Sequence, residues 1–180
     1  MRGRPVPASG MLTIRRFRDP DAPVLWALNA LPNIGATADG SIPLPLPPAA
    51  APPVGFPDLA DVTRSFVHTG GDFLVGELDG HLVAMGGIRP GTGGVAEVLR
   101  IRVHPATRRR GIGRALMTGL ERRAVELGMR GTHLDTATNQ PEAMAFYESL
   151  GYREIGREHR PEWTWTLVYY AKTLEPPPGS

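Results

Sequence analysis

Short stretches in which apolar and polar positions alternate, at 12–17, 72–78, 81–88, 95–103, 132–138, 152–157 and 164–173, predict seven strands. Between them, Ile112, Leu116, Leu120 and Leu127 recur near helical spacing, and Gly128 suits a helix end, so a helix is predicted over 113–127. A shorter helix is predicted over 21–31, with Asp21 at its cap, Pro23 in its first turn and Pro32 to stop it. Another is expected over 58–68. Asn139-Gln140-Pro141-Glu142 reads as a capped helix start, with Glu142 closing a capping box, and that helix runs to Leu150. Asp79-Gly80 between two strands is a type I′ hairpin signal. The resulting order, β-α-α-β-β-β-α-β-α-β-β, predicts an α/β (α+β) fold with a mixed sheet and is too uneven for a doubly wound nucleotide fold.

One segment resists any regular element. Residues 41–57 are dense in proline, which excludes a helix or a central strand. Irregular loops of that length are functional or disordered. The Pro/Gly-rich ends, 1–10 and 175–180, are expected to be poorly ordered, leaving one domain over 11–174. No repeat of 20–50 residues divides the chain.

Composition narrows the function classes. With 180 residues, 41% hydrophobic and 21% charged, the chain has enough material for its own core. No apolar run approaches a membrane span, and the N-terminal arginines are not followed by a signal-type apolar stretch, so a cytoplasmic location is expected. The absence of cysteine excludes disulfides, thiolate metal sites and a cysteine nucleophile. Nineteen of the 20 basic residues are arginine, which lifts the pI to about 9.4 although the net charge is only +2. That charge is too small to argue nucleic-acid binding by itself. His68, His81, His104, His133 and His159 show no metal-ligand spacing, and no metal is expected. His104, before a proline at a strand end, is expected at the surface. Trp163 and Trp165 alternate entering the last strand, and one of them is expected to face the core.

The stretch 95–117 carries the chemistry. A strand ends at Val103, His104-Pro105 breaks it, and Arg108-x-x-Gly111-x-Gly113 opens a helix. The first N–H groups of a helix lack internal partners and carry the positive end of its dipole. Glycines let an anion approach that backbone, and Arg108, Arg109, Arg110 and Arg114 add charge, so a pyrophosphate is the natural ligand. A Walker A loop is excluded by the missing lysine, and a dinucleotide fingerprint by Leu116 where a third glycine would stand.

Together with 134–154, LDTATNQPEAMAFYESLGYRE, this stretch resembles the GCN5-related N-acetyltransferase (GNAT) family, and the strand order agrees over about residues 11–174. The resemblance implies a mainly antiparallel sheet of six to seven strands whose two central parallel strands splay to admit acetyl-CoA. It implies backbone contacts to pantetheine from Ile101, Arg102 and Val103, and a pyrophosphate on the N–H groups of Arg109, Arg110, Gly111, Ile112, Gly113 and Arg114 beside Arg108. Tyr147 matches the tyrosine that protonates the departing thiolate. Asn139 or Gln140 contacts the cofactor: Asn139 lies eight residues before Tyr147, whereas the commoner spacing of seven selects Gln140.

Two carboxylates are candidate bases. Strand alternation puts Glu97 on one face with Val95, Leu99, Ile101 and Val103, an apolar setting that raises a carboxyl pKa, unless a bulge reverses the face. Asp135, twelve residues before Tyr147, is the second candidate, because the resemblance places a catalytic Glu there in some family members that act on protein N-termini. Deprotonation through water is the third option. The reading that follows is an N-acetyltransferase moving acetyl from acetyl-CoA to a primary amine by direct attack, with a small-molecule amine favoured over a protein N-terminus or lysine. It acts as a monomer or homodimer, without nucleic acid or membrane. The competing class is a non-catalytic acyl-CoA-binding regulator, or a basic nucleic-acid module built on Arg100, Arg102, Arg108, Arg109, Arg110 and Arg114.

Overall fold

A computed structural model describes residues 10–31 and 39–176. The termini expected to be poorly ordered fall mostly on 1–9 and 177–180, outside the described residues. One seven-stranded sheet organises the chain. Its strands are β1 (Leu12–Arg16), β2 (Asp72–Leu78), β3 (His81–Pro90), β4 (Val95–Val103), β5 (Gly131–Ala137), β6 (Arg153–Glu158) and β7 (Leu167–Thr173), in the spatial order β1-β2-β3-β4-β5-β7-β6. Every neighbouring pair is antiparallel except β4 and β5. The β2–β3 hairpin turns on Asp79 and Gly80, both at positive φ, as a type I′ turn requires.

Helices cover both faces. On one, α2 (Ile112–Glu126) buries Ile112, Leu116, Met117, Leu120 and Ala124, and α3 (Pro141–Ser149) buries Ala143 and Tyr147 against Val98, Ile101, Leu134 and Tyr170. On the other, α1 (Ala22–Asn29) packs Leu25 and Leu28 with Leu59, Phe66, Phe73 and Met85. The helix expected over 58–68 is instead a 3-10 turn at Pro57–Leu59 followed by one π-helical turn at Thr63–Val67.

The proline-rich segment is anchored. Leu46 is buried beside α1, Ala49 N–H donates to the Pro23 carbonyl (2.9 Å), and Asp39 N–H donates to the Pro105 carbonyl (3.1 Å). His104 corrects the surface expectation. It is fully buried: Nδ1 accepts from Ala106 N–H (3.1 Å), so Nε2 donates to the Pro43 carbonyl (2.9 Å). The imidazole thus ties the proline-rich segment to the turn that leads into α2.

The strand that matters most for function is β4, which carries a bulge. Met85 faces Arg102 and Gly87 faces Leu99, so Arg100 and Ile101 together oppose Gly86. Arg100 sits at φ +59, and a Cβ on Gly86 would run into the Ile101 side chain and lie 3.1 Å from Leu120. The extra residue breaks the two-residue period and bends the strand. Ala96, Val98, Ile101 and Val103 therefore all face α2, while Leu99 joins the α1 side. This overturns the shared face proposed for Glu97, Ile101 and Val103. Glu97 pairs in register with Arg89 and His133, away from the apolar core.

Candidate active site

The parallel ladder between β4 and β5 consists of three pairs, Val95–Gly131, Ala96–Thr132 and Glu97–His133. Beyond them the strands part. The backbone edges of 98–103 and 134–137 that face each other have no strand partner, and they bound a cavity of about 240 Å³. Leu99, Arg100, Arg102, Asp135, Gln140 and Tyr147 line it. A ligand with amide groups can take up the open backbone edge as a strand would.

Past Val103 the chain runs through the 3-10 turn at Pro105–Thr107 into α2. Arg109 (φ +62) and Gly111 (φ +74) both adopt left-handed backbone. A Cβ on Gly111 would meet nothing within 4 Å, so open space lies in front of this backbone. The first helical hydrogen bond runs from Ala115 N–H to the Gly111 carbonyl (3.0 Å). The N–H groups of Ile112, Gly113 and Arg114 precede it and have no partner inside the helix. Arg109, Arg110 and Arg114 are exposed and form no ion pair among the described residues. Burial lowers the Arg108 pKa, yet guanidinium remains charged at any physiological pH. The chain thus offers two features an acyl-CoA could use: an unpaired strand edge and an open helix start with partnerless N–H groups.

Tyr147 stands inside the wedge. Its side chain is 6% exposed, and its ring meets Phe146 and Tyr152 edge-on at 5.2 and 6.0 Å. Burial pushes its pKa up, the Arg102 guanidinium pulls it back, and Asp135 adds to the rise. The net direction is up, so the hydroxyl is a neutral donor. Asp135 lines the same cavity. Burial raises its carboxyl pKa, the neighbouring Glu97 raises it further, and His133 and Arg100 oppose the shift. Solvent also reaches the Asp135 side chain. Glu97 itself does not line the cavity; it acts on Asp135 from the adjoining strand.

Several residues stand elsewhere than the sequence suggested. The expected capping box at Asn139 and Glu142 is not formed: Gln140 is the cap of α3, with no side-chain cap bond, because Pro141 takes the first helical position. Gln140 lines the wedge, whereas Asn139 is exposed outside it. Neither Trp163 nor Trp165 enters the core. The two indoles stack on each other (5.5 Å, 8°) in the half-exposed β6–β7 loop, with Arg160 over Trp163 at 4.8 Å. Arg100, counted with a basic surface, is tied down: its Nε donates to buried Asp58 (3.0 Å), and its guanidinium covers Phe56 at 4.6 Å. With Arg102 inside the wedge, the arginines of β4 and α2 do not form one exposed basic strip. Sequence reasoning missed the Arg100–Asp58 clamp, and it used Arg102 for its backbone contact to pantetheine or as part of a basic surface, not as a side chain lining the wedge. Among the described residues no cluster suits a metal ion, and no helix is long and apolar enough to cross a membrane.

A mixed sheet with splayed central parallel strands, a left-handed turn opening a helix and a buried tyrosine between them define a GNAT-type acyl-CoA wedge. The sequence agrees: the acetyltransferase (GNAT) family profile matches residues 44–152, and the chain belongs to that family. It is 31% identical over 105 residues to YjgM of Escherichia coli, an uncharacterized N-acetyltransferase; the match covers 57% of this chain and 63% of YjgM, less than two thirds of that relative. A GNAT-family acetyltransferase from Staphylococcus aureus shares the fold with a TM-score of 0.71 at 19% identity, over 92% of this chain and all of that one (100%). YncA from Salmonella typhimurium, solved with its cofactor acetyl-CoA, aligns with a TM-score of 0.67 at 17% identity, over 91% of this chain and 94% of its own.

Proposed function

We propose that the protein transfers acetyl from acetyl-CoA to the nitrogen of a primary amine by direct attack within the β4–β5 wedge. One observation carries this reading: the ladder stops at Glu97–His133, and the gap that opens is lined by Tyr147 and Asp135. Acetyl-CoA supplies the thioester whose C–S bond is exchanged for a C–N bond. The free edge of β4 at 101–103 receives the amide-bearing arm. The N–H groups of 109–114, with Arg108, Arg109, Arg110 and Arg114 around them, hold the diphosphate, and Gln140 borders the arm from the start of α3.

Asp135 is the better placed of the two candidate bases, since it lines the cavity and its raised pKa makes it more basic than an ordinary aspartate. It takes the proton that the ammonium must lose, and Glu97 tunes it. Tyr147 gives its phenolic proton, which its raised pKa keeps available at neutral pH, to the departing sulfur, and the second proton shed by the nitrogen as the C–N bond forms returns to the tyrosinate. A panel of amines, amino acids, aminoglycosides and short peptides, assayed for thiol release from acetyl-CoA, tests the reading. Release that depends on an amine supports it; binding of acetyl-CoA without release for any amine would make the chain a non-catalytic binder instead.

A further inference from the structure

The side chain of Arg102 has no role in the reading above, yet it occupies the wedge. Ile101 and Val103 on either side of it pack toward α2, so Arg102 leaves the strand on the opposite face and lines the cavity with Tyr147 and Asp135. Most arginines near the sheet are paired: Arg15 with Asp21 and Glu77, Arg16 and Arg123 with Asp72, Arg100 with Asp58. Arg102 has no carboxylate within ion-pair distance among the described residues. Of its five N–H donors, one bonds the Ile101 carbonyl (Nη1, 2.9 Å), and Nε is buried with no partner. Burial and the nearby Arg100 charge both work against this cation.

A partly buried, unpaired guanidinium is costly, and the cost is recovered when an anion arrives. The diphosphate of acetyl-CoA is accounted for at the start of α2. The anion that reaches Arg102 comes with the other substrate. Arg102, Asp135 and Tyr147 line the same cavity, so a cationic and an anionic side chain both border the space in which the proposed transfer takes place. A molecule matching both carries an amine and a carboxylate close together.

We propose that Arg102 receives the carboxylate of the acceptor, so that the acceptors of this enzyme are free amino acids. The inference rests on the transferase reading and narrows it. The guanidinium forks onto the carboxylate while the amine stands at Asp135. A protein N-terminus or a lysine side chain in a folded protein has no carboxylate at that distance and is a poor acceptor.

The test compares matched acceptors with and without the carboxylate, such as phenylalanine with 2-phenylethylamine and leucine with 3-methylbutylamine, by kcat/KM at saturating acetyl-CoA. The wild type should prefer the amino acid by about 10- to 100-fold, the range for a charge-assisted hydrogen bond to a partner otherwise left unpaired. Arg102→Leu should bring that ratio toward one, with the loss falling on KM of the amino acids. Arg102→Lys should restore part of it, as a point charge without the fork. Equal or better use of the decarboxylated amines by the wild type would overturn the inference without any variant. So would a ratio that survives in Arg102→Leu. Failure of the underlying reading shows separately, as acetyl-CoA binding without thiol release.

Discussion

Tyr147→Phe is the sharpest single perturbation of the proposed chemistry. The substitution keeps the ring, which is 6% exposed and packed edge-on against Phe146 and Tyr152, and removes only the hydroxyl. Folding stability should therefore change by no more than about 1 kcal/mol. A positioned general acid contributes about 10²–10⁴ in rate, which corresponds to about 3–5 kcal/mol of barrier. Turnover should fall by that factor, while the acetyl-CoA dissociation constant stays within about threefold, because in the proposed site the cofactor is held mainly by backbone groups of 101–103 and 109–114. Burial raises the Tyr147 pKa, so the acid is present throughout pH 6–9 and the loss should be similar across that range. Thiol release followed spectrophotometrically, with one working amine at saturating acetyl-CoA, measures it. A folded Tyr147→Phe protein with wild-type turnover at every pH would refute the acid role and leave the thiolate to water or backbone N–H groups.

Two further outcomes follow from the geometry. Gly111→Asp should fold with a cost of about 1–2 kcal/mol, since the position is left-handed but open, and yet lose most of the thermal stabilisation that acetyl-CoA confers, because a carboxylate then occupies the anion cradle; an unchanged ligand-induced Tm shift would remove the cradle assignment. Burial raises the Tyr147 pKa, and burial together with Glu121 raises that of Tyr152, so both groups stabilise the fold fully below the unfolded tyrosine pKa of about 10 and progressively less above it. Unfolding monitored against pH should show stability falling from about pH 10 upward, with phenolate absorbance appearing together with unfolding; phenolate formation in the fully folded protein for all tyrosines would contradict this.

Local patterns were legible in the sequence where one element satisfies itself. The Asp79-Gly80 turn, the apolar stripe of α2 and the Arg108–Gly113 turn depend on residues a few positions apart, and each was found close to its place. The site was less legible where a single residue changes the period. The bulge at Arg100 opposite Gly86 reverses every face after Leu99, and alternation alone therefore misplaced Glu97. Long-range partners were invisible for a different reason. His104 meets Pro43 across 61 positions and Arg100 meets Asp58 across 42, and no local pattern encodes either pairing. The two tryptophans mimic a strand by their spacing, yet they satisfy each other by stacking and leave β7 to begin at Leu167.

The central claim is that acetyl-CoA enters between β4 and β5 and rests its diphosphate on the start of α2. Amide hydrogen exchange of the protein with and without acetyl-CoA tests this most directly, because the partnerless N–H groups of the wedge are the ones a ligand would cover. The account predicts that the largest gain in protection falls on 98–103 and 109–114, with smaller changes spread over the rest of the sheet. Protection centred on another part of the surface, or none at saturating acetyl-CoA, would contradict it.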